Sequence, residues 1–157
     1  MKIEKKNQEI VSNKNNKQEL FLYLGNVVAL DDLIETEGLD REIVNANLLK
    51  FYSKSCKKIV AERLKIYQNK LNVKPKSVDI IASRTKWGTC NSDKKITFNL
   101  RLVMAPIEII DYVVVHELCH LIHMNHDRSF WRLVGSVLPD YKKRQGILAE
   151  MGQSITP

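Results

Sequence analysis

The chain has 157 residues, the length of one ordinary domain, which can bury a hydrophobic core without disulfides. Apolar residues make up 44% of it and charged residues 27%, and no apolar stretch approaches the roughly 20 residues that span a bilayer, which argues against a membrane role. Cys56, Cys90 and Cys119 are too few and too widely spaced for a disulfide framework. Because the N-terminus also lacks an apolar signal segment, we expect a cytoplasmic protein.

The net charge of +7 is unevenly distributed along the sequence. Residues 50–76 contain nine Lys or Arg and one acidic residue, whereas residues 26–42 contain six acidic residues and one Arg. A basic stretch of this kind is usually a solvated helix face, but it can also attract a nucleotide or a nucleic acid. Charge alone does not distinguish these two interpretations.

The first half of the chain predicts a tail, a hairpin and a long helix. Residues 1–18 are polar and rich in Lys and Asn, so we expect a disordered or extended tail before a single domain over residues 19–157. Apolar segments on both sides of Gly25-Asn26 predict a hairpin. From Asp40, a suitable N-cap, apolar residues recur every three or four positions as far as Leu71, which predicts one long amphipathic helix.

The second half predicts a small sheet followed by helices. Residues 77–83 and 96–103 read as two strands of one sheet. Pro106 suits the start of a helix, and residues 107–123 are apolar on nearly every side, which indicates a helix buried in the domain. Two further helices are expected at about residues 127–137 and 139–149.

All four histidines lie within eleven residues, in the segment HELCHLIHMNH that begins at His116. In a helix, His116 and His120 differ by about 40° in rotation and about 6 Å in rise, so both imidazoles can bind one metal ion. Glu117 is one position further, where its carboxylate can act as general base without being a ligand. This HExxH spacing predicts a zinc hydrolase that uses a metal-activated water.

A catalytic zinc site needs a third protein ligand. His123 would lie roughly 10 Å further along the helix than His116, too far to share one ion. His126 can return to the metal if the helix ends near His123, and Asn125 is a residue type that tolerates the left-handed conformation of such a turn. We therefore expect one zinc ion per chain, held by His116, His120 and His126.

The segment from residue 80 onward resembles the YgjP-like metal-dependent hydrolases, a family close to the WLM and SprT-like metallopeptidases among the zincins. The resemblance rests on VVVHELCHLIHMNH, on the Phe130-Trp131 pair that follows, on KWGTC at residues 86–90 and on ITFNLRLVMAP before the motif helix. It implies an α+β, zincin-like single domain in which a small sheet packs on a buried HExxH helix, with zinc at the three histidines and Glu117 as the catalytic residue. Family members often carry a larger N-terminal β region, here shortened to about residues 19–38.

Two further groups of residues are candidates for supporting roles. Lys86, Trp87 and Gly88 are candidate substrate-binding residues, because a strand beside the metal helix of a zincin commonly offers its edge to an extended peptide. The family usually has Arg where this chain has Lys86, which weakens any bidentate anion contact there. Trp131 is expected to fix His126, and Asn125 to shape the turn before it.

The function that we expect is zinc-dependent hydrolysis of a peptide or protein substrate. One alternative keeps the metal and takes a nucleoside triphosphate, with Arg84, Lys86 and the basic helix holding the phosphates, as a metal-dependent pyrophosphohydrolase. Another is a nucleic-acid-associated module, with or without protease activity, that docks through residues 50–76.

Overall fold

The computed structural model describes residues 19–152, so the tail expected at residues 1–18 lies outside the described residues. Within that range the chain forms two small sheets and five α-helices in an α+β arrangement. The elements are β1 (Leu20–Tyr23), β2 (Asn26–Ala29), α1 (Leu30–Leu33), α2 (Arg41–Leu71), β3 (Ser77–Ile81), β4 (Gly88–Cys90), β5 (Lys95–Asn99), a 3-10 helix (Leu100–Met104), α3 (Ile107–Cys119), α4 (Arg128–Val137) and α5 (Tyr141–Glu150).

The predicted hairpin is confirmed, with its turn one residue earlier than expected. β1 and β2 pair antiparallel, and Leu24 and Gly25 at the turn both have positive φ. The turn rests on the end of the 3-10 helix, where the N–H groups of Leu24 and Gly25 donate to the carbonyls of Val103 and Met104 at 2.8 and 2.9 Å. A Cβ at position 25 would lie 2.8 Å from Pro106 Cγ, so only glycine fits this contact.

The long helix α2 is continuous over 31 residues. Asp40 caps it by accepting a hydrogen bond from the Ile43 N–H at 3.0 Å, and Asn72 ends it in the left-handed conformation. Its buried face packs against α3 and the 3-10 helix. Arg63 of α2 donates two hydrogen bonds to Asp111 of α3, at 2.6 and 2.8 Å, which joins the two helices across the core.

The second sheet has the strand order β3-β5-β4, with β3 parallel and β4 antiparallel to β5. The predicted pairing of the two longer strands is therefore confirmed. The prediction of a strand through residue 103 is wrong, because the Asn99 side chain accepts from the Arg101 N–H and starts a 3-10 helix at Leu100. β4 was not predicted as a separate strand.

Helix α3 lies in the centre of the domain, as its apolar sequence predicts. Every residue from Ile109 to His120 is buried. The helix ends at Cys119, four residues before the predicted end, and α4 and α5 follow close to their predicted limits. Among residues 19–152, no helix is both long enough and apolar enough to cross a membrane.

Candidate active site

Three of the four histidines converge at the end of α3. Nε2 of His126 lies 3.0 Å from Nε2 of His120 and 3.1 Å from Nε2 of His116. His116 is on the last turn of α3 and His120 is its C-cap, and both are buried, whereas His126 reaches them from the following loop. These three side chains form a group that could hold a metal ion, and the His123 side chain is outside it.

The loop between His120 and His126 is held by hydrogen bonds to the helix end. The N–H groups of Ile122 and His123 donate to the Cys119 carbonyl, and Nδ1 of His120 lies 3.0 Å from the His123 carbonyl oxygen. A carbonyl oxygen can only accept, so Nδ1 of His120 carries the proton and its Nε2 offers a lone pair.

The role expected of Asn125 in this turn is wrong. The residues other than glycine that adopt positive φ among the described residues are Leu24, Asn72 and Lys94. Asn125 is therefore not left-handed, and its side chain is exposed. The chain reverses instead through the turn at the end of α3 and through Asp127, which caps α4 by accepting from the Phe130 N–H at 2.9 Å.

Aromatic rings from α4 and α5 pack behind the histidines. Trp131 lies nearly parallel to the His126 imidazole, with ring centroids 5.8 Å apart, and Tyr141 also stacks on Trp131, with ring centroids 5.4 Å apart. Phe130 stacks on the His120 imidazole, with ring centroids 4.5 Å apart. A Cβ at position 135 would lie 3.3 Å from the Tyr141 ring, so Gly135 leaves room for this stack of three rings.

His116 has an aromatic neighbour on its own helix. The Tyr112 hydroxyl lies 3.5 Å from Nδ1 of His116, on the side of the imidazole away from the cluster. Tyr112 is fully buried, and burial raises the pKa of its phenol, so it stays protonated. Tyr112 and His116 are four positions apart on one helix, so their spacing permits this contact, although it was not predicted from the sequence.

Glu117 is completely buried beside the cluster. Neither of its carboxylate oxygens has a hydrogen-bond partner among the described residues. Burial raises its pKa to about 8, and the positive charge of Lys86 opposes this rise. A buried carboxylate without partners is costly as an anion unless a positive charge lies next to it.

The strand β4 lies directly against this carboxylate. A Cβ at position 88 would lie 3.0 Å from Glu117 Cγ and 3.2 Å from its Oε1, so Gly88 makes space for Glu117. Lys86 is exposed, and its ammonium acts electrostatically on Glu117. The indole of Trp87 is only 2% exposed and belongs to the core. Substrate binding by residues 86–88 stays a prediction.

The donor set fits a divalent cation. Burial lowers the pKa of both His120 and His126, which favours the neutral imidazoles that bind metals. Zn–N bonds of about 2.0–2.1 Å in tetrahedral geometry separate the ligand nitrogens by about 3.3 Å. The separations of 3.0 and 3.1 Å are close to this value. One proton shared among the three nitrogens could make only one of these two contacts a hydrogen bond, whereas a cation could bind all three nitrogens.

A buried HExxH helix with a third histidine converging on it and a partnerless carboxylate beside it defines the class of metal-dependent hydrolases. The sequence profile of the YgjP-like metallopeptidase domain matches residues 2–151, so this chain belongs to that family of metallopeptidases. The resemblance drawn from the motifs is thereby confirmed.

Comparison with solved structures supports the fold. The metallopeptidase zymogen of Pyrococcus abyssi abylysin is similar, with a TM-score of 0.57 and 23% sequence identity. The similarity covers 62% of this chain and 99% of that one. No curated protein matches the chain. The zincin-like, single-domain α+β fold expected from the sequence is confirmed.

Proposed function

We propose that this protein is a zinc-dependent peptidase in which His116, His120 and His126 hold one zinc ion and Glu117 is the general base. The observation that carries the proposal is the convergence of three imidazole nitrogens next to a buried carboxylate without partners. Three neutral nitrogen ligands suit zinc better than calcium or magnesium, which prefer oxygen ligands.

The cation supplies Lewis acidity when bound, which lowers the pKa of water to about 7 and polarises a substrate carbonyl. Glu117 accepts a proton from the attacking water and returns it to the leaving amine. Its burial favours this role, because an apolar environment stabilises the protonated carboxyl during the interval between the two transfers. Gly88 on one side and α3 on the other limit where its side chain can lie.

The substrate that we propose is a peptide in extended conformation along the edge strand β4. In the antiparallel ladder, Trp87 and Asn91 carry the hydrogen bonds to β5, with Asn99 N–H donating to the Trp87 carbonyl and Asn91 N–H to the Lys95 carbonyl. By alternation, the backbone N–H and C=O of Cys90 turn away from β5 and towards the outer edge. A peptide that pairs there would pass beside Glu117.

Peptide hydrolysis has better support than the two alternatives. The family is one of metallopeptidases, which favours a peptide over a phosphoanhydride or a nucleic acid as the substrate. Arg84 and Lys86, the residues that would hold phosphates in the nucleotide alternative, are exposed before β4. Nucleoside triphosphates therefore serve as negative controls in the activity assay.

A cytoplasmic location also belongs to this proposal. Cys56, Cys90 and Cys119 are all free thiols, and Cys56 and Cys119 are buried. Burial raises the pKa of both buried thiols to about 12, so they are inert in their protonated form. Cell fractionation tests the location, and recovery of the protein outside the cytoplasm would contradict it.

The test compares zinc-loaded wild type with Glu117→Gln on a mixture of quenched-fluorescent peptides. We expect the variant to keep its zinc and to lose about 10²–10⁴-fold in turnover, the usual contribution of a general base. Glu108→Gln is the matched control, because Glu108 is an exposed carboxylate on the same helix and should leave turnover unchanged. Full activity in Glu117→Gln would refute the assignment of the base.

A further inference from the structure

A groove of about 490 Å³ lies on the side of the second sheet away from β4. One wall is the helix α2, and the other is the strand β3. Its lining residues are Ser53, Lys57, Val60, Ala61, Leu64, Lys65, Gln68, Val78, Asp79 and Ile80. We call it the α2–β3 groove. From Ser53 to Gln68 the helix rises about 22 Å, which is room for about seven residues of extended peptide.

The β3 wall is the open edge of a sheet. β3 is the terminal strand of the order β3-β5-β4, and among the described residues it pairs with β5 alone. An edge strand presents N–H and C=O groups that can pair with a further strand. A groove between an edge strand and a helix is the arrangement in which PDZ and PTB domains add a peptide to their sheets.

The α2 wall is apolar at its base and basic at its rim. Val60 and Leu64 are buried at the base, and Lys57 and Lys65 are exposed at the rim. Neither lysine has an ion-pair partner among the described residues. The lining contains one acidic residue, Asp79, against these two lysines, so the groove has an excess of positive charge.

The positive charge continues on the exposed face of α2 beyond the groove. Helical geometry places five exposed lysines within an arc of about 100°. These are Lys50, Lys54, Lys57, Lys58 and Lys65. An extended ligand in the groove therefore lies in a positive field along its length, which favours acidic side chains and disfavours basic ones.

We propose that the α2–β3 groove binds an extended acidic peptide segment of a partner protein. The segment adds to the edge of β3 as a strand, its apolar side chains contact Val60, Leu64 and Ile80, and its carboxylates face Lys57 and Lys65. This site is separate from the histidine cluster, because β5 and β4 lie between β3 and Glu117. The inference does not rest on the proposed peptidase activity.

The test uses the full chain and a fluorescein-labelled peptide of about ten residues that alternates Glu and Val, with a Lys–Val peptide of the same length as the control ligand. Fluorescence anisotropy should show saturable binding of the Glu–Val peptide alone. The double variant Lys57→Glu/Lys65→Glu should weaken binding by about tenfold or more. The matched variant Lys54→Glu/Lys58→Glu reverses the same charge on the same helix outside the groove, and should weaken it by about threefold or less at physiological salt.

Hydrogen exchange separates a strand added to β3 from charge attraction alone. Bound Glu–Val peptide should slow exchange of the amides of residues 77–81, while circular dichroism shows that both double variants are folded. Three results would overturn the proposal. The first is no binding of the Glu–Val peptide. The second is equal weakening in both double variants without protection of β3, as expected for a surface that binds polyanions such as oligonucleotides. The third is protection of β3 that depends on protein concentration alone, as expected if a second copy of the chain fills the groove.

Discussion

The substitution Gly88→Ala tests the contact between β4 and Glu117 in isolation. Gly88 has no positive φ, so alanine causes no backbone strain there. The new Cβ would lie 3.0 Å from Glu117 Cγ and 3.3 Å from its Cδ, whereas carbon atoms prefer a separation of about 3.5–4.0 Å. The carboxylate or the strand must therefore move by a few tenths of an ångström.

A displacement of this size is enough to disturb the position of a general base. Because a misplacement of about 1 Å can cost about 10²-fold in rate, we expect this smaller shift to cost about threefold to tenfold, or about 0.7–1.4 kcal/mol of transition-state stabilisation. Because Glu117 is not a candidate ligand, metal content should not change. We expect the loss in kcat, whereas a methyl group that only obstructed the substrate would raise KM.

The matched control is Gly146→Ala on α5, where a Cβ meets no atom within 4 Å. This variant should keep wild-type kcat and KM and gain a little stability, because alanine favours helix over glycine by about 1 kcal/mol. Both variants are assayed with zinc bound, on a peptide that the wild type cleaves. If Gly88→Ala is as active as Gly146→Ala, the reasoning about β4 is refuted.

Three further predictions concern the surroundings of the site. Trp131→Leu removes the ring stacked on the third histidine and should weaken zinc binding about 10–100-fold in a chelator competition, whereas Tyr141→Phe keeps the stack and should change it little; equal affinities for all three proteins would contradict this role. Asp111→Ala leaves Arg63 without its buried partner and should lower the free energy of unfolding in urea by about 3 kcal/mol, while a loss below about 0.5 kcal/mol would show that the pair is not needed. Asp127→Ala removes the N-cap of α4 and should cost about 1 kcal/mol in the same assay, with Asp127→Asn largely retaining stability; equal loss in both variants would argue against capping.

The sequence predicted the candidate site well where its residues lie close together along the chain. His116 and His120 are placed on one helix face by their spacing alone, and the need for a third ligand points to His126 once His123 is too far along the axis. Phe130 and Trp131 follow within five residues, so their packing on the cluster was also foreseeable.

The contacts missed by the sequence join residues far apart in it. Gly88 and Glu117 are separated by 29 positions, and no local period reports that one makes room for the other. KWGTC was recognised as a motif and as a candidate substrate-binding edge, but not as the segment that makes room for Glu117. The stack of Tyr141 on Trp131 depends on how α5 packs on α4, which is likewise a tertiary effect.

Element ends were the other source of error. Residues 100–103 are apolar enough to continue a strand, but the hydrogen bond from the Arg101 N–H to the Asn99 side chain turns the chain into a 3-10 helix. Helix α3 ends at Cys119, and no left-handed residue is needed to bring His126 back. In both places a few local hydrogen bonds outweigh the propensity of the sequence.

The most direct test of the central claim is the zinc content of the untagged protein, measured by elemental analysis for wild type, His126→Ala and Glu117→Gln. We predict about one zinc per chain in wild type and Glu117→Gln, and loss of zinc in His126→Ala, because a catalytic site needs three protein ligands. Absence of zinc from the wild type after reconstitution, or full retention in His126→Ala, would contradict the proposed metal centre.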